Sequence, residues 1–180
     1  IGLGMRGIKT IYMHQRLDFF LLAMDQLVNG AAKWHFMFGG KVNIPVTVRL
    51  IMGRGWGQGP THSQNLHAWF SHIPGLKVIM PSNPYDAKGL LQSSISDPNP
   101  VVFLEHRWVH NSVSTVPNHS YSIPIGKGKL VKKGTDITII SSSYMVADAI
   151  NFINKFKKIN NKISIELIDV RSIKPLDSNL

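Results

Sequence analysis

The chain has 180 residues, which is enough for one domain with a hydrophobic core, or for one domain and part of another. Hydrophobic residues make up 43% of it and charged residues 17%, a balance that excludes an intrinsically disordered chain. No apolar run approaches the roughly 20 residues that span a bilayer, and the absence of cysteine excludes a disulfide framework, a thiolate nucleophile and a cysteine-based zinc site.

The net charge of +10 raises the question of nucleic-acid binding. The charges are scattered, however, and the densest cluster, NKFKKINNK at 154–162, follows a predicted helix. Lysines there oppose the negative end of the helix dipole and remain in water. We therefore interpret the cluster as a solvated face and predict no nucleic-acid partner and no membrane segment. A chain without cysteine suits the cytoplasm or an organelle matrix.

The first predicted element is a helix from Phe19 to Phe38, where apolar residues recur at helical spacing until the GG pair at 39–40 ends it. Because this helix is apolar nearly all round, we expect it to be buried, including at a subunit interface. The β-branched run at 44–51 predicts a buried strand. A glycine-rich loop follows, and residues 62–72 have a helical pattern.

Further along, residues 77–81 predict a strand, and Asn83, Pro84 and Asp86 are a typical helix start. DPNP at 97–100 ends that helix, and residues 101–106 predict another strand. Strands that alternate with helices predict an α/β fold with a mostly parallel sheet covered by helices on both faces.

A polar segment at 107–126 contains prolines and has no clear periodicity, so we interpret it as a linker. Beyond it, a strand at 136–143, a helix at 144–156 and a strand at 163–170 predict a second βαβ unit. The chain begins without Met and ends just after a strand-like run, so we expect it to be a piece of a longer polypeptide.

The glycines of the loop GRGWGQGPTHSQ alternate, at positions 53, 55, 57 and 59. This spacing matches neither the dinucleotide-binding pattern G-x-G-x-x-G nor a P-loop. A glycine loop after a strand still allows the backbone to approach a ligand or another chain closely. The loop by itself is compatible with a binding site and with a simple turn.

Three histidines, His62, His67 and His72, recur every five residues. On a helix each such step rotates the side chain by about 140°, so no two of them share a face. Zinc sites on helices use a spacing of four, and we therefore do not predict a metal site here. We expect His67 and His72 to lie on a helix surface or at an interface.

His62 differs because it follows a strand and a glycine loop, at the start of the predicted helix. Ligands of open α/β sheets bind beyond the carboxyl ends of the strands, and a histidine there can exchange a proton near neutral pH. The helix dipole would disfavour the imidazolium and favour a neutral ring that donates a hydrogen bond. On these local grounds His62 is either a catalytic group or a capping and packing residue.

Other catalytic arrangements lack support in the sequence. The serine clusters have no nucleophile-elbow pattern, and only two glutamates exist, Glu105 and Glu166. Glu105 ends a predicted strand, and we expect it to form a structural ion pair.

Three segments together resemble one family: AMDQLVNGAAKW with MFGGK, then GRGWGQGPTHSQNLHAWFSHIPGLKVIMPSNPYDAKGLLQSSISDPNPVVFLEH, then DVRSIKPLD. They resemble the beta subunit of the thiamine-diphosphate-dependent 2-oxo acid dehydrogenases, of the pyruvate and branched-chain type. The resemblance runs through essentially the whole chain. It implies a pyrimidine-binding domain over residues 1–122, with a linker from about 107, and the first βαβ part of a transketolase-type C-terminal domain over 123–180, both truncated.

The resemblance also implies an activity and partners. A 2-oxo acid dehydrogenase decarboxylates a small 2-oxo acid oxidatively and transfers the acyl group to lipoamide. Beta subunits pair with alpha subunits as heterotetramers that contain a second beta subunit and deliver the acyl group to a lipoyl acyltransferase core. The cofactor, thiamine diphosphate, lies between one alpha and one beta chain. The alpha chain holds its diphosphate through magnesium.

Site residues follow from the resemblance position by position. His62 matches the active-site histidine of the HSQ motif, which binds substrate-derived groups and assists acyl transfer. Phe19 matches the aromatic residue that packs against the aminopyrimidine, and Gln15 matches a less constant pocket position. A potassium site of some members, built mostly from backbone oxygens, matches four positions: Val46, Ser94, Asp97 and Asn99. An ordinary helix end also explains the last three of these.

Two departures from the family pattern bear on activity. The glutamate that hydrogen-bonds the aminopyrimidine would lie upstream of Ile1, and neither Glu105 nor Glu166 is at a matching position. We therefore expect the chain alone to be inactive. The segment YMHQRLD also differs from the commoner EFMTFDF. The alternatives are another transketolase-like thiamine diphosphate enzyme and a non-catalytic interaction subunit of the same fold.

Overall fold

The computed structural model describes all 180 residues. Its strands are β1 (Thr10–His14), β2 (Val46–Met52), β3 (Lys77–Ile79), β4 (Val101–His106), β5 (Lys129–Lys132), β6 (Ile137–Ser141), β7 (Ile165–Asp169) and β8 (Ser172–Lys174). Its α-helices are α1 (Gly2–Met5), α2 (Leu17–Phe20), α3 (Trp34–Met37), α4 (His67–His72), α5 (Pro84–Ser96) and α6 (Tyr144–Ile159). No helix has the length and apolar character needed to cross a membrane.

The first sheet has five strands in the order β1-β2-β4-β3-β8. The first four are parallel to one another, and only β8 runs antiparallel, against β3. The central strands β2 and β4 are rich in apolar residues that are buried on both faces of the sheet, as is typical of a parallel sheet covered by helices. This confirms the predicted α/β class.

A core of sixteen buried residues lies on the α2 and α4 side of this sheet. A smaller core on the other face packs Leu90 of α5 against Phe103 and Ile79. The start of α5 is as predicted, because Pro84 is its first residue and the Asn83 side chain accepts a hydrogen bond from Asp86 N–H at 2.9 Å. Helices therefore pack against both faces of the first sheet.

The single helix predicted from Phe19 to Phe38 is wrong in detail. The segment consists of α2, a 3₁₀ turn at Leu21–Ala23, a π-helical stretch at Gln26–Ala31, and α3. Gly30 in the π-helical stretch packs so closely to Ile1 that a Cβ there would lie 3.2 Å from the Ile1 Cδ1. The segment is also not buried all round in this chain, since Leu22 is 93% and Phe36 87% exposed.

The second sheet has the order β5-β7-β6, with β6 and β7 parallel and joined by α6, which confirms the predicted βαβ unit. Val146 and Ile153 of α6 pack on Ile165 and Leu167 of β7. The lysines of the cluster after Asn154 are exposed, as the solvated-face interpretation requires.

Three short strands were not predicted: β1, β5 and β8. Of these, β8 has the largest consequence for the fold, because it belongs to the C-terminal part of the chain and yet completes the first sheet. The Lys174 ammonium of β8 also donates to the carbonyl oxygens of Ser71 and Ile73 at 2.9 and 2.8 Å, at the end of α4. The C-terminal part of the chain, from residue 126 onward, is thus joined to the first part by the β3–β8 backbone pairing and by the hydrogen bonds of Lys174.

Candidate active site

Three neighbouring strands, β1, β2 and β4, end at the same edge of the first sheet. The segments that follow them are, respectively, α2, the glycine loop 53–59, and a 3₁₀ helix at Arg107–Asn111. Ligands of open α/β sheets bind beyond this edge of the sheet. The topology therefore brings together the residues that the sequence analysis singled out from separate parts of the chain.

Phe19 and His62 meet at this edge. The centroids of their rings are 5.0 Å apart and the rings are nearly perpendicular, at 86°. Phe19 is 44% exposed although it is apolar, because α2 directs its neighbours Leu17 and Phe20 into the core. The two residues that the family resemblance assigned to cofactor and substrate contact thus form one contact pair.

His62 does not lie in the first turn of a long helix, contrary to the prediction. It ends a 3₁₀ turn at Pro60–His62, and α4 starts only at His67. Two hydrogen bonds keep the intervening residues out of the helix: Ser63 Oγ donates to Gly59 O at 3.0 Å, and Gln64 N–H donates to Asp18 at 3.2 Å. The argument from the helix dipole therefore does not apply to His62.

Asp18 is the residue that the sequence analysis missed. It is 7% exposed, and its Oδ1 accepts hydrogen bonds from the backbone N–H and the side-chain amide of Gln64, the latter at 2.8 Å. Asp18 adjoins Phe19 and Gln64 lies two residues after His62, so this carboxylate fixes one predicted site residue relative to the other. The only signal in the sequence is an acidic residue within the apolar run LDFF, which has no obvious partner nearby.

The glycines at 53 and 55 are explained by an aromatic shelf, formed by His106, Trp108 and Tyr144. A Cβ on Gly53 would lie 2.9 Å from the His106 ring, and a Cβ on Gly55 would lie 2.7 Å from Trp108. Tyr144, the first residue of α6, stacks on His106 with ring centroids 5.2 Å apart. The glycine loop that leads to His62 therefore packs on His106 and Trp108 of the first part of the chain, and Tyr144 of the C-terminal part packs against these rings.

Burial lowers the pKa of the His106 imidazole, and the nearby charges of Arg54 and His110 lower it further, although Asp148 opposes them. His106 Nδ1 accepts the Trp108 N–H at 3.2 Å, which places the proton of the neutral ring on Nε2. A neutral ring suits the shelf, because its close contact with the Gly53 backbone leaves little room for the hydration of a charge.

Glu105 forms the structural ion pair that was predicted. Its carboxylate is bidentate with the Arg49 guanidinium, at 2.8 and 3.2 Å, across the β2–β4 pair. It is therefore a poor candidate for an acid or base that acts on a ligand.

Gln15 lies between β1 and α2 at the same edge as Phe19, and its side chain is exposed. Its carbonyl oxygen accepts from Arg16 Nη1 at 3.1 Å. The side chain of Gln15 is thus free to contact a ligand.

The four positions matched to a potassium site lie at the opposite, amino edge of the sheet. Val46 is the first residue of β2, and Ser94, Asp97 and Asn99 surround the end of α5. The Asp97 carboxylate accepts hydrogen bonds from the Lys77 ammonium and from Asn99 N–H, the latter at 2.9 Å. The Ser94 carbonyl accepts from Asp97 N–H at 3.3 Å. All four residues thus lie at one edge of the sheet. The Asp97 carboxylate and the Ser94 carbonyl oxygen already accept hydrogen bonds from other groups of the chain.

The chain offers a partial fit to thiamine diphosphate. The exposed Phe19 ring can pack against an aromatic ring, and His62 can donate or accept a proton beside it. No group of three or more His, Cys, Asp or Glu residues in the chain could hold a metal ion. Phe19 and His62 thus suit the aromatic, pyrimidine part of the cofactor.

Comparison with known families gives two matches. Residues 1–110 match the model of the transketolase pyrimidine-binding domain, and residues 126–180 match that of the transketolase C-terminal domain. Among solved structures, a split-gene transketolase described as an inactive beta4 tetramer superposes with a TM-score of 0.77 over 98% of this chain and 53% of its own, at 19% identity. Transketolase from Leishmania mexicana gives a TM-score of 0.68 over 91% of this chain and 23% of its own, at 20% identity.

Among curated proteins, the chain is 40% identical over 177 residues to the beta subunit of acetoin:2,6-dichlorophenolindophenol oxidoreductase from Cupriavidus necator, covering 98% of this chain and 52% of that protein. It is 40% identical over 181 residues to the beta subunit of the pyruvate dehydrogenase E1 component from Rickettsia conorii, covering 99% and 54%. The mitochondrial beta-1 subunit from Arabidopsis thaliana is 38% identical, covering 98% and 49%. The chain thus spans about half the length of these relatives. It belongs to the transketolase family, with a pyrimidine-binding domain at residues 1–110 followed by a match to the transketolase C-terminal domain.

Proposed function

We propose that this chain belongs to the beta subunit of a thiamine-diphosphate-dependent 2-oxo acid dehydrogenase, which decarboxylates a small 2-oxo acid oxidatively and transfers the acyl group to lipoamide. The observation that carries the proposal is the contact between Phe19 and His62 beyond the carboxyl ends of the strands. Identities of about 40% to named beta subunits support it. Because the chain spans about half the length of these relatives, the activity of the whole protein is part of the proposal.

Each site residue has a stated task in this proposal. The cofactor, when bound, supplies the electron sink that decarboxylation needs. Phe19 packs against its aminopyrimidine ring, and Gln15 contacts the same pocket. His62 Nδ1 lies 3.2 Å from Thr61 Oγ1, which leaves Nε2 to hold or deliver a proton at the substrate oxygen and to assist acyl transfer.

The proposal includes partners. The alpha subunit holds the diphosphate and magnesium and completes a heterotetramer with a second beta subunit, and a lipoyl acyltransferase core receives the acyl group. The exposed side chains of Leu22 and Phe36 support a subunit contact on this part of the surface. The chain alone is inactive under this proposal. It operates in the cytoplasm or in an organelle matrix.

Two finer points belong to the same proposal. The pyrimidine-binding domain extends to residue 122 with its linker from about 107, and the second domain begins at 123. Potassium binds near Val46, Ser94, Asp97 and Asn99 through backbone oxygens; the gathering of these residues at one sheet edge supports this.

The proposal is tested with the complete gene product, co-expressed with its alpha subunit. Reduction of 2,6-dichlorophenolindophenol should require both a 2-oxo acid and thiamine diphosphate. The His62→Ala variant should lose turnover by about 100-fold or more while it retains cofactor binding, since a positioned acid–base group contributes at least that much. His72→Ala, an exposed histidine at the end of α4, is the matched control and should keep its activity. A complex that neither binds the cofactor nor turns over any 2-oxo acid contradicts the proposal.

A second candidate substrate is acetoin, which the name of the Cupriavidus necator relative suggests. Acetoin is a neutral hydroxyketone, whereas a 2-oxo acid carries a carboxylate. The same dye assay with acetoin in place of the 2-oxo acid separates the two, because only the preferred substrate should support reduction at low concentration.

A further inference from the structure

Two arginines and one tryptophan form a cluster beside the candidate active site, which we call the arginine–tryptophan cluster: Arg16, Trp56 and Arg107. The Arg16 Cζ lies 4.7 Å and the Arg107 Cζ 5.9 Å from the centroid of the Trp56 ring. Both distances are within the range of cation–π attraction. The Trp56 ring is therefore in contact with two guanidinium groups, both positively charged.

The charge of this cluster is not balanced within the chain. The four ion pairs of Lys and Arg with carboxylates involve other residues. Arg16 donates only to uncharged oxygens, of Gln15 and Gln58, and its Nε is buried without a hydrogen-bond partner, as is the Nε1 of Trp56. A bound anion would offset the unpaired positive charge of the two arginines, and side-chain rotation toward it would satisfy donors that now have no partner.

The position of the cluster connects it to the site. Arg16 is the residue before α2, one turn ahead of Phe19, and Trp56 is in the loop that leads to His62. Arg107 follows β4 directly. The three residues thus come from the same three strand ends, β1, β2 and β4, that surround Phe19 and His62. Gln58 ties Arg16 to the loop through a 2.9 Å hydrogen bond.

We infer that the arginine–tryptophan cluster binds the carboxylate of a small oxo acid at the mouth of the site, and that the substrate of this protein is therefore an acid and not the neutral acetoin. This inference rests on the proposed function and adds the substrate class and the residues that select it. The guanidinium fork matches a carboxylate through paired hydrogen bonds, and it has no comparable interaction with a hydroxyketone.

The cluster captures the substrate rather than holding it during the reaction. A cation that bound the leaving carboxylate tightly would stabilise the ground state and slow decarboxylation. Guanidinium groups at the mouth instead raise the local concentration of the anion and speed its arrival. The net charge of +10 adds to this attraction.

The experiment is a titration of the complete gene product without cofactor, followed by nitrogen–proton NMR of the tryptophan indoles. The resonance that disappears in Trp56→Phe identifies Trp56. The probes are pyruvate, its neutral methyl ester, acetoin and inorganic phosphate, at one ionic strength. Pyruvate should shift the Trp56 resonance, and the two neutral probes should not. Added salt should weaken the effect.

Two variants with the same loss of charge make the test specific. Arg107→Gln should raise the Kd of pyruvate about twofold to fivefold, the range expected for one solvent-exposed ion pair. Arg6→Gln removes an exposed arginine that precedes β1, at the opposite edge of the sheet, and should leave the Kd unchanged.

Several results would overturn the inference. One is a Trp56 resonance that shifts equally with pyruvate and with its methyl ester. Another is a Trp56 resonance that responds only to phosphate, or to an acidic peptide such as polyglutamate but not to pyruvate. A third is an equal change in the Kd of pyruvate in Arg107→Gln and Arg6→Gln. The outcome is separable from the proposed function, because the titration requires no turnover. Pyruvate binding at Trp56 with an inactive complex would contradict only the dehydrogenase proposal, and an active complex without the Trp56 shift would contradict only this inference.

Discussion

Gly55 and Gly57 have nearly the same backbone φ, +74° and +73°, but different surroundings. A Cβ on Gly55 would lie 2.7 Å from Trp108, whereas one on Gly57 would have no neighbour within 4 Å. Gly57→Ala should therefore cost only the backbone strain, about 1–2 kcal/mol. Gly55→Ala should cost about 1–3 kcal/mol more through overpacking against Trp108.

Urea denaturation of both variants measures these costs as changes in the free energy of unfolding. In a Trp108→Ala background the two substitutions should cost about the same, because the contact that distinguishes them is gone. Equal costs in the presence of Trp108 would show that the loop is not seated on the aromatic shelf. The alternating glycines were visible in the sequence, but their cause was not, since the shelf residues lie about fifty or more positions away.

Asp18 links two elements, α2 and the turn that carries His62. Asp18→Ala leaves the backbone N–H and the side-chain amide of Gln64 without their acceptor, and loss of a buried acceptor costs about 1–3 kcal/mol of stability. We expect the free energy of unfolding to fall by that amount and the nuclear Overhauser contact between the Phe19 and His62 rings to weaken. Asp25→Ala is the control: Asp25 is an exposed carboxylate bonded only to Gln26 and Asn29 side chains, and its loss should change stability by about 0.5 kcal/mol or less. An unchanged ring contact in Asp18→Ala would remove Asp18 from the site.

Elements with strong local signals were predictable, and those made by distant pairing were not. The start of α5 and the bounds of β4 follow from capping residues and an apolar run, and the structure reproduces both. β1 is a sheet-edge strand whose middle residues are exposed, so it has no buried alternation to detect. β8 has three residues and exists because it pairs with β3, more than ninety positions earlier. No local pattern encodes such a contact.

The same distinction applies to the site. Phe19, Gln15 and His62 were placed by resemblance to a family, and the topology brings Phe19 and His62 into contact. Local chemistry alone had left His62 undecided between catalysis and capping. Asp18 and the arginine–tryptophan cluster were invisible because their partners lie about forty or more residues away in the chain.

The molecule as a whole is joined by a buried polar network at the boundary of its two parts. The Arg171 guanidinium is bidentate to Asp86 of α5, at 2.6 and 3.1 Å, and Asp86 is fully buried. Asp169 of β7, also fully buried, accepts hydrogen bonds from Ser82 Oγ and from Arg171 N–H. Burial raises the pKa of the Asp169 carboxyl and Asp86 raises it further, although the hydrogen bonds from Ser82 and Arg171 and the charge of Arg171 act in the opposite direction.

A raised pKa has a definite consequence for stability. Between the ordinary pKa near 3.8 and the higher pKa in the folded chain, the folded state retains a proton that the unfolded state has lost. The contribution of Asp169 to stability therefore grows as the pH falls through the folded pKa, and it is lost as the pH rises. Each unit between the two pKa values corresponds to about 1.4 kcal/mol.

Asp169→Asn, which cannot titrate, should be more stable relative to the unmodified protein at about pH 7 than at about pH 4, close to the ordinary pKa of the group. Ser82→Ala removes a hydrogen bond that lowers the pKa, so the pH dependence of its stability should extend to higher pH. Urea unfolding followed by tryptophan fluorescence provides the measurement.

All four tryptophans lie at or before position 108, so they report on the first part of the chain, whereas Asp169 lies in the second. A pH effect of Asp169 on the fluorescence transition therefore requires that the two parts unfold together, as the Arg171 network and the β3–β8 pair predict. If circular dichroism detects the effect and tryptophan fluorescence does not, the two parts unfold independently and the network does not couple them.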